Sequence, residues 1–262
     1  MKSLIRNILF YKLLIANCLL PIALCLFLIS FSSCKKDSFC NCLKSTGSTA
    51  TEKRDLATFN KIEIDKNIDV FLVQDSVSYA KVTCGKNLLD GVSTEVSEGR
   101  LTITNKNKCN WSRSFKNEFV VEVHCAELME IIFSTSGDLT MLNQFKVDSL
   151  YMQSDIGSGS ILMNLDSRIF YGVLNTGVAD LTVKGKVGGN YLLANGQGFI
   201  DTSELENGYA YLRSNATNDC KVRVTGQLDV EIEAIGNIYY YGDPHVVNLI
   251  KHSGTGKLIK AD

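Results

Sequence analysis

The residues of this chain that could do chemistry are few and spread along its length. Asp138, Asp180, Asp201 and Asp219 each follow a turn at similar phase. Stacked into a file, such carboxylates could hold calcium or serve a lyase. The glycine-rich calcium nonapeptide and a contiguous ladder of acids are both absent, so turn formation is the better account of these aspartates. His124, His245 and His252 are scattered. None has a serine or cysteine partner at a spacing that acid/base or nucleophilic catalysis uses. Tyr171, Tyr191 and Tyr211 recur every 20 residues. A file of exposed rings could stack on sugars or meet a protein partner; equally, it is a ladder that stabilises a sheet.

The interval of 20 belongs to a scaffold. Stepping by 20 from Ile132 gives Met152, Gly172, Leu192, Leu212 and Ile232, an almost wholly apolar column. Two residues on, Ser134, Ser154, Leu174, Ala194, Ser214 and Ala234 form a column of small side chains. A period of this length marks a solenoid whose repeats bury their apolar sides only against neighbours. In the repeat from Leu150, Leu150, Met152 and Ser154 alternate with Tyr151 and Gln153, a turn follows at Gly157-Ser158-Gly159, and Ile161, Met163 and Leu165 resume the alternation. Period two means strands with one face in and one face out. The repeat is too short for two helices, so the fold predicted is all-β: a right-handed parallel β-helix with about 20 residues per coil, each rising roughly 4.8 Å.

Upstream, Ile62, Ile64, Ile68, Val70 and Leu72 alternate around Asp65-Lys66-Asn67, Val92 to Val96 and Leu101 to Ile103 flank Glu98-Gly99, and Phe119, Val121 and Val123 lead into the repeats. These strands are expected to form an irregular N-terminal cap of one domain over 55–262. An uncovered solenoid end would leave strand edges unpaired.

Lys2, Arg6 and Lys12 precede an apolar run from Leu13 to Ile29, which closes on Phe31-Ser32-Ser33-Cys34. Basic, apolar and small-residue regions in that order mark a secretory signal. The placement of Cys34 resembles a bacterial lipoprotein signal, with Phe31 where leucine is usual. It implies a signal over 1–33, lipidation of Cys34, membrane attachment through that lipid, and an outer-membrane location facing either outward or into the periplasm. An uncleaved anchor is the alternative, and the run is barely long enough to span a bilayer. Residues 34–54 are polar and aperiodic, as expected of a tether. Without Lys2, Arg6 and Lys12 the formal charge falls from -1 to -4, which argues against nucleic acid as a partner.

Six further cysteines would then sit in an oxidising compartment, where disulfides persist. Cys84 and Cys125 each end a strand before a leucine-containing corner, so neighbouring coils are expected to pair them. Cys42 with Cys109 is the second expected pair, joining tether to cap. Cys220 shares the inward position of Ile161 and Leu181, as a small buried hydrophobe does. Cys40-Asn41-Cys42 has no His or Cys cluster to complete a zinc site. No cofactor and no metal are expected.

Phe59-Asn60-Lys61-Ile62-Glu63-Ile64, Ile68-Asp69-Val70, Gly99-Arg100-Leu101-Thr102-Ile103, the repeated Ser/Asn-x-x-Gly turns and Ile238-Tyr239-Tyr240-Tyr241-Gly242-Asp243-Pro244 resemble the putative auto-transporter adhesin, head GIN domain family. The resemblance covers roughly Leu56 to Pro244. It implies a secreted or lipid-anchored β-helix of a bacterial envelope, and it brings no catalytic residues. Cys40 to Gly47 and Lys108 to Trp111 are similar to elements of a lipoprotein subgroup. The expected function is a noncatalytic envelope module that binds an extracellular glycan or protein ligand. Two alternatives stand beside it. One is a carbohydrate-active enzyme, by fold-level analogy alone; the other is a purely structural periplasmic lipoprotein.

Overall fold

A computed structural model describes residues 45–108 and 118–262, which lie in one compact unit beginning at Ser45. Its strands are β1 (Thr49–Asp55), β2 (Lys61–Lys66), β3 (Asp69–Gln74), β4 (Tyr79–Gly85), β5 (Val92–Ser97), β6 (Arg100–Asn105), β7 (Val120–Cys125), β8 (Glu130–Thr135) and β9 (Leu139–Met141). They continue as β10 (Phe145–Ser154), β11 (Ser160–Leu174), β12 (Asp180–Ala194), β13 (Ile200–Ser214), β14 (Cys220–Arg223), β15 (Gln227–Ile232), β16 (Ile238–Tyr241), β17 (Val246–His252) and β18 (Leu258–Lys260). One short 3-10 turn, Lys86–Gly91, interrupts them.

From β8 onward the strands stack in parallel at about 20 residues per coil, so the β-solenoid expected from the repeat is the fold. The long strands turn a corner inside themselves. In β11 Ile161, Met163 and Leu165 are buried on one side of Ser167, and Phe170, Gly172 and Leu174, with Val173 beside them, on the other, so the inward parity switches where the strand bends. Two sets of side chains therefore close on one core, in which Phe133, Phe145 and Phe170 are fully buried. Gly198 shows how tightly the coils sit: a Cβ there would lie 1.7 Å from the carbonyl oxygen of Ala179 in the preceding coil.

Met152, Gly172, Leu192 and Leu212 do face one another in register. The step changes at both ends of that run. Met152 faces Ile131 and Leu212 faces Val230, so these residues, not Ile132 and Ile232, continue the column. The second column likewise takes Phe133 beside Ser154 and Ile232 beside Ser214, in place of Ser134 and Ala234. A slip of one residue turns a side chain to the opposite face. Ile131 is fully buried while Ile132 lies between strands at the surface.

The N-terminal region is a cap with its own order. β2 pairs in parallel with both β6 and β8, and β3 with both β7 and β9. The chain thus starts one coil in, runs outward through the cap and returns. β4 lies antiparallel to β7, β1 antiparallel to β4, and β5 antiparallel to β6. Residues 49–54, expected in the tether, belong to β1. Alternation of Thr, Lys and Arg there supplies no apolar signal, because the strand is exposed on most of its length.

Candidate functional site

The tyrosines come together as the repeat requires. Tyr151, Tyr171, Tyr191 and Tyr211 face one another across β10 to β13. The rings of Tyr171 and Tyr191 stack at 4.9 Å with 23° between planes. The next ring against Tyr191 is Tyr209, at 5.5 Å and 51°, and Tyr211 is drawn aside. Its hydroxyl donates to Glu231 at 2.9 Å, as that of Tyr209 does to Asp229 at 2.9 Å. Burial and that carboxylate push the Tyr209 phenol up to about 12. Arg213 and Lys251 both reach Glu233, at 3.0 and 2.6 Å, and the Tyr151 hydroxyl donates to Gln153. Most of this face is therefore occupied with itself. Tyr171 is the exposed member, at 39%, and one side of its ring is covered by Tyr191. Tyr209 and the acids one coil on were missed in the sequence, although a step of 20 from Tyr209 and Tyr211 lands on Asp229 and Glu231.

The aspartates divide by role. Asp138 accepts from the backbone N–H of Ser160, Asp180 from Phe199 and Asp219 from Asn237, each at 2.8 Å. Asp69 accepts from Asp138 N–H at 2.9 Å, and Asn237 from Lys257 at 3.0 Å. Each side chain fastens its coil to the next, which is the turn role expected of them. Asp201 is at a different phase: it lies in β13, takes the Ser203 hydroxyl at 2.6 Å and pairs with Lys221 at 3.2 Å.

His124 is 8% exposed. Its Nδ1 lies 3.0 Å from Asp75 and its Nε2 2.8 Å from Glu122, with Tyr79 stacked at 4.0 Å. Lys81 joins Glu122 at 2.6 Å. With both nitrogens held by carboxylates, this histidine braces β4 and β7. His252 reaches the carbonyl of Gly256 at 2.9 Å.

Cys84 and Cys125 are not a disulfide: both are free and buried. β4 and β7 run antiparallel, with Thr83 opposite Val120 and Tyr79 opposite His124, so the two cysteines lie at opposite ends of the pair. The expected bond assumed parallel neighbours. Cys220 is free and fully buried, in register with Ile200 and Ile238, and desolvation pushes its thiol up to about 12. Cys34, Cys42 and Cys109 lie outside the described residues.

The sequence matches one family profile, the putative auto-transporter adhesin, head GIN domain, over residues 58–244. The chain belongs to this family. Several solved crystal structures share the fold. A putative adhesin from Bacteroides fragilis is 21% identical with a TM-score of 0.75, over 82% of this chain and 97% of that one. A putative adhesin from Parabacteroides distasonis is 19% identical with a TM-score of 0.62, over 81% and 98%. A putative lipid binding protein from the same species is 21% identical with a TM-score of 0.61, over 83% and 98%. Among proteins of curated function none matches the chain in sequence.

Proposed function

We propose that this protein is a noncatalytic module of the bacterial cell envelope, lipid-anchored at Cys34 in the outer membrane, whose solenoid presents a face to a glycan or protein ligand. The observation that carries this reading is the commitment of the acids at its turns and on its tyrosine face. The carboxylates of Asp138, Asp180 and Asp219 tie coil to coil, and those of Asp229, Glu231 and Glu233 hold tyrosines and cations. Such acids make a rigid support for a recognition surface, whereas hydrolysis or elimination needs carboxyl groups aimed at a bound sugar. Membership of an adhesin-named family points the same way, and Tyr171, Tyr191 and Tyr211 remain a candidate contact face.

The test is protease shaving of intact cells that express the chain, with a periplasmic protein as control. Release of the domain from unbroken cells is expected. Survival until the outer membrane is opened would remove the premise of adhesion and favour a structural periplasmic role. Release of reducing or unsaturated ends from envelope polysaccharides by purified protein would instead support an enzyme.

A further inference from the structure

The outward face of the second strand set is built differently from the tyrosine face. Thr140, Leu162, Thr182, Asp201, Lys221 and Tyr239 face one another from coil to coil. Two depressions open along this file, of about 300 and 540 Å³, and they share Thr182 and Asp201. Five coil steps from Thr140 to Tyr239 make a groove of roughly 24 Å at strand spacing.

Three features set the groove apart. First, the register between β12 and β13 shifts between Thr182 and Lys184. The extra residue of this bulge leaves Asp201, Ser203 and Glu204 all on the outer side, where strict alternation would leave two; bulges re-aim side chains in this way beside binding sites. Second, apolar surface stays uncovered at the same place: Phe199 is 53% exposed and Leu162 46%, with Tyr239 and Tyr241 half-buried along the larger depression. Third, Thr182, Lys184 and Glu204 have no side-chain hydrogen bond or ion pair among the described residues. Uncommitted Lys184 and Glu204 thus line the smaller depression and the rings of Phe199, Tyr239 and Tyr241 the larger one, with Thr182 common to both, while Asp201 and Lys221 are paired with each other.

We propose that this groove binds a neutral, extended stretch of glycan lying along the solenoid axis, which deepens the binding-module reading and rests on it. A sugar offers flat C–H faces that suit Phe199 and Tyr239, and hydroxyls that both donate and accept, which suit carboxylate, hydroxyl and ammonium groups side by side. The coil spacing is close to the advance per sugar along an extended chain. Charge selects among glycans. Asp180, Asp201, Glu204 and Asp219 outnumber Lys184 and Lys221 in the lining, so a polyuronate or other polyanion is repelled.

The full chain in detergent is titrated with neutral hexasaccharides of glucose, mannose, galactose and N-acetylglucosamine, and with a hexamer of galacturonate. At least one neutral oligomer is expected to bind and the galacturonate not to. Phe199→Ala and Tyr239→Ala should each weaken binding about tenfold, since a lost ring contact of this kind is close to one decade in affinity, and Ile156→Ala at an exposed turn should not. Circular dichroism checks that each variant is folded. Absence of neutral binding, preference for the galacturonate, or loss of binding in Tyr171→Ser alone would each overturn the groove. If cells still adhere to periodate-treated surfaces while no glycan binds, the groove fails and the binding module stands. Failure of surface exposure in the shaving experiment sinks the module itself.

Discussion

The body from β8 onward and the cap from β1 to β7 are made of the same kind of strand, joined by opposite rules. In the body each strand pairs with the segment about 20 residues away on either side. In the cap, β2 must find β8, and β3 must find β9, some 69 residues on. A body of this kind depends on nearest neighbours and tolerates loss at one end. The cap depends on pairings that close long loops, and its outer strands β1 and β5 each have one partner. The two regions should therefore fail separately.

Two phenylalanines test this with the largest effect. Phe170 is fully buried in the body and Phe119 is 2% exposed in the cap. Truncation of either to Ala is expected to cost roughly 3–5 kcal/mol in its own region. Amide exchange should show Phe119→Ala opening β4 and β7 while β11 to β13 keep their protection, and Phe170→Ala lowering protection through the body. Uniform loss in both variants would mean one cooperative unit and would remove the distinction.

The same contrast decides what was legible in the sequence. Where coils repeat, Leu150, Met152, Ile161 and Leu192 announce their side by period two and their partner by period 20. Where the corner length changes, as between β8 and β10 or β13 and β15, a fixed count runs out of register. Hence Ile132 and Ala234 were set in columns that belong to Ile131 and Ile232. The cap strands were legible one by one, but strand direction is not written in alternation, which is identical for parallel and antiparallel neighbours. The groove was hidden for a related reason. Its bulge at Thr202 and Ser203 and its neighbours Phe199 and Tyr239 converge only after three coils, β13, β14 and β16, are stacked, whereas the tyrosines advertise themselves by repeating.

The seam between the regions should respond next. Asp69 of the cap accepts from Asp138 N–H at 2.9 Å, and Asp180 makes the equivalent bond inside the body. Removing either by Ala is expected to cost roughly 1–2 kcal/mol in urea titrations. Asp69→Ala should also detach the cap in exchange, with β3 and β9 losing protection together, because no continuous strand bridges that seam. If Asp180→Ala loosened the cap as much, the coils would be transmitting strain along their length.

Acid should act on the cap through a smaller and more local effect. Hydrogen bonds from Lys81 and then His124 hold the Glu122 carboxyl below its ordinary range, and His124 with the Ser76 backbone does the same for Asp75. A carboxyl lowered on folding stabilises the folded state above its unfolded pKa, and that contribution is lost as pH falls through the folded value. Protection of β4 and β7 is therefore expected to decline as pH drops below about 4.5. Glu122→Gln should flatten that decline while leaving the rest of the acid response, which draws on Asp148, Asp229 and Glu233 in the body. An unchanged slope in the variant would show that the histidine brace does not support the cap.

The cysteines predict an absence of effect, which is as sharp. Cys84 and Cys125 end strands that look alike, and parallel neighbours would bring them together. Antiparallel pairing places Cys125 opposite Ser78, six residues from Cys84 and so roughly 20 Å away along the strand, while a disulfide needs Cα atoms within about 7 Å. Desolvation pushes the thiols of Cys84 and Cys125 up to about 11 and about 12, so at neutral pH the reactive thiolate is scarce as well as covered. Iodoacetamide should leave both unmodified in folded protein and label both in urea, and reductant should not change exchange in β4 or β7. A peptide linking Cys84 to Cys125 by mass spectrometry would require those strands to run the other way, and with them the order in which the cap closes the solenoid.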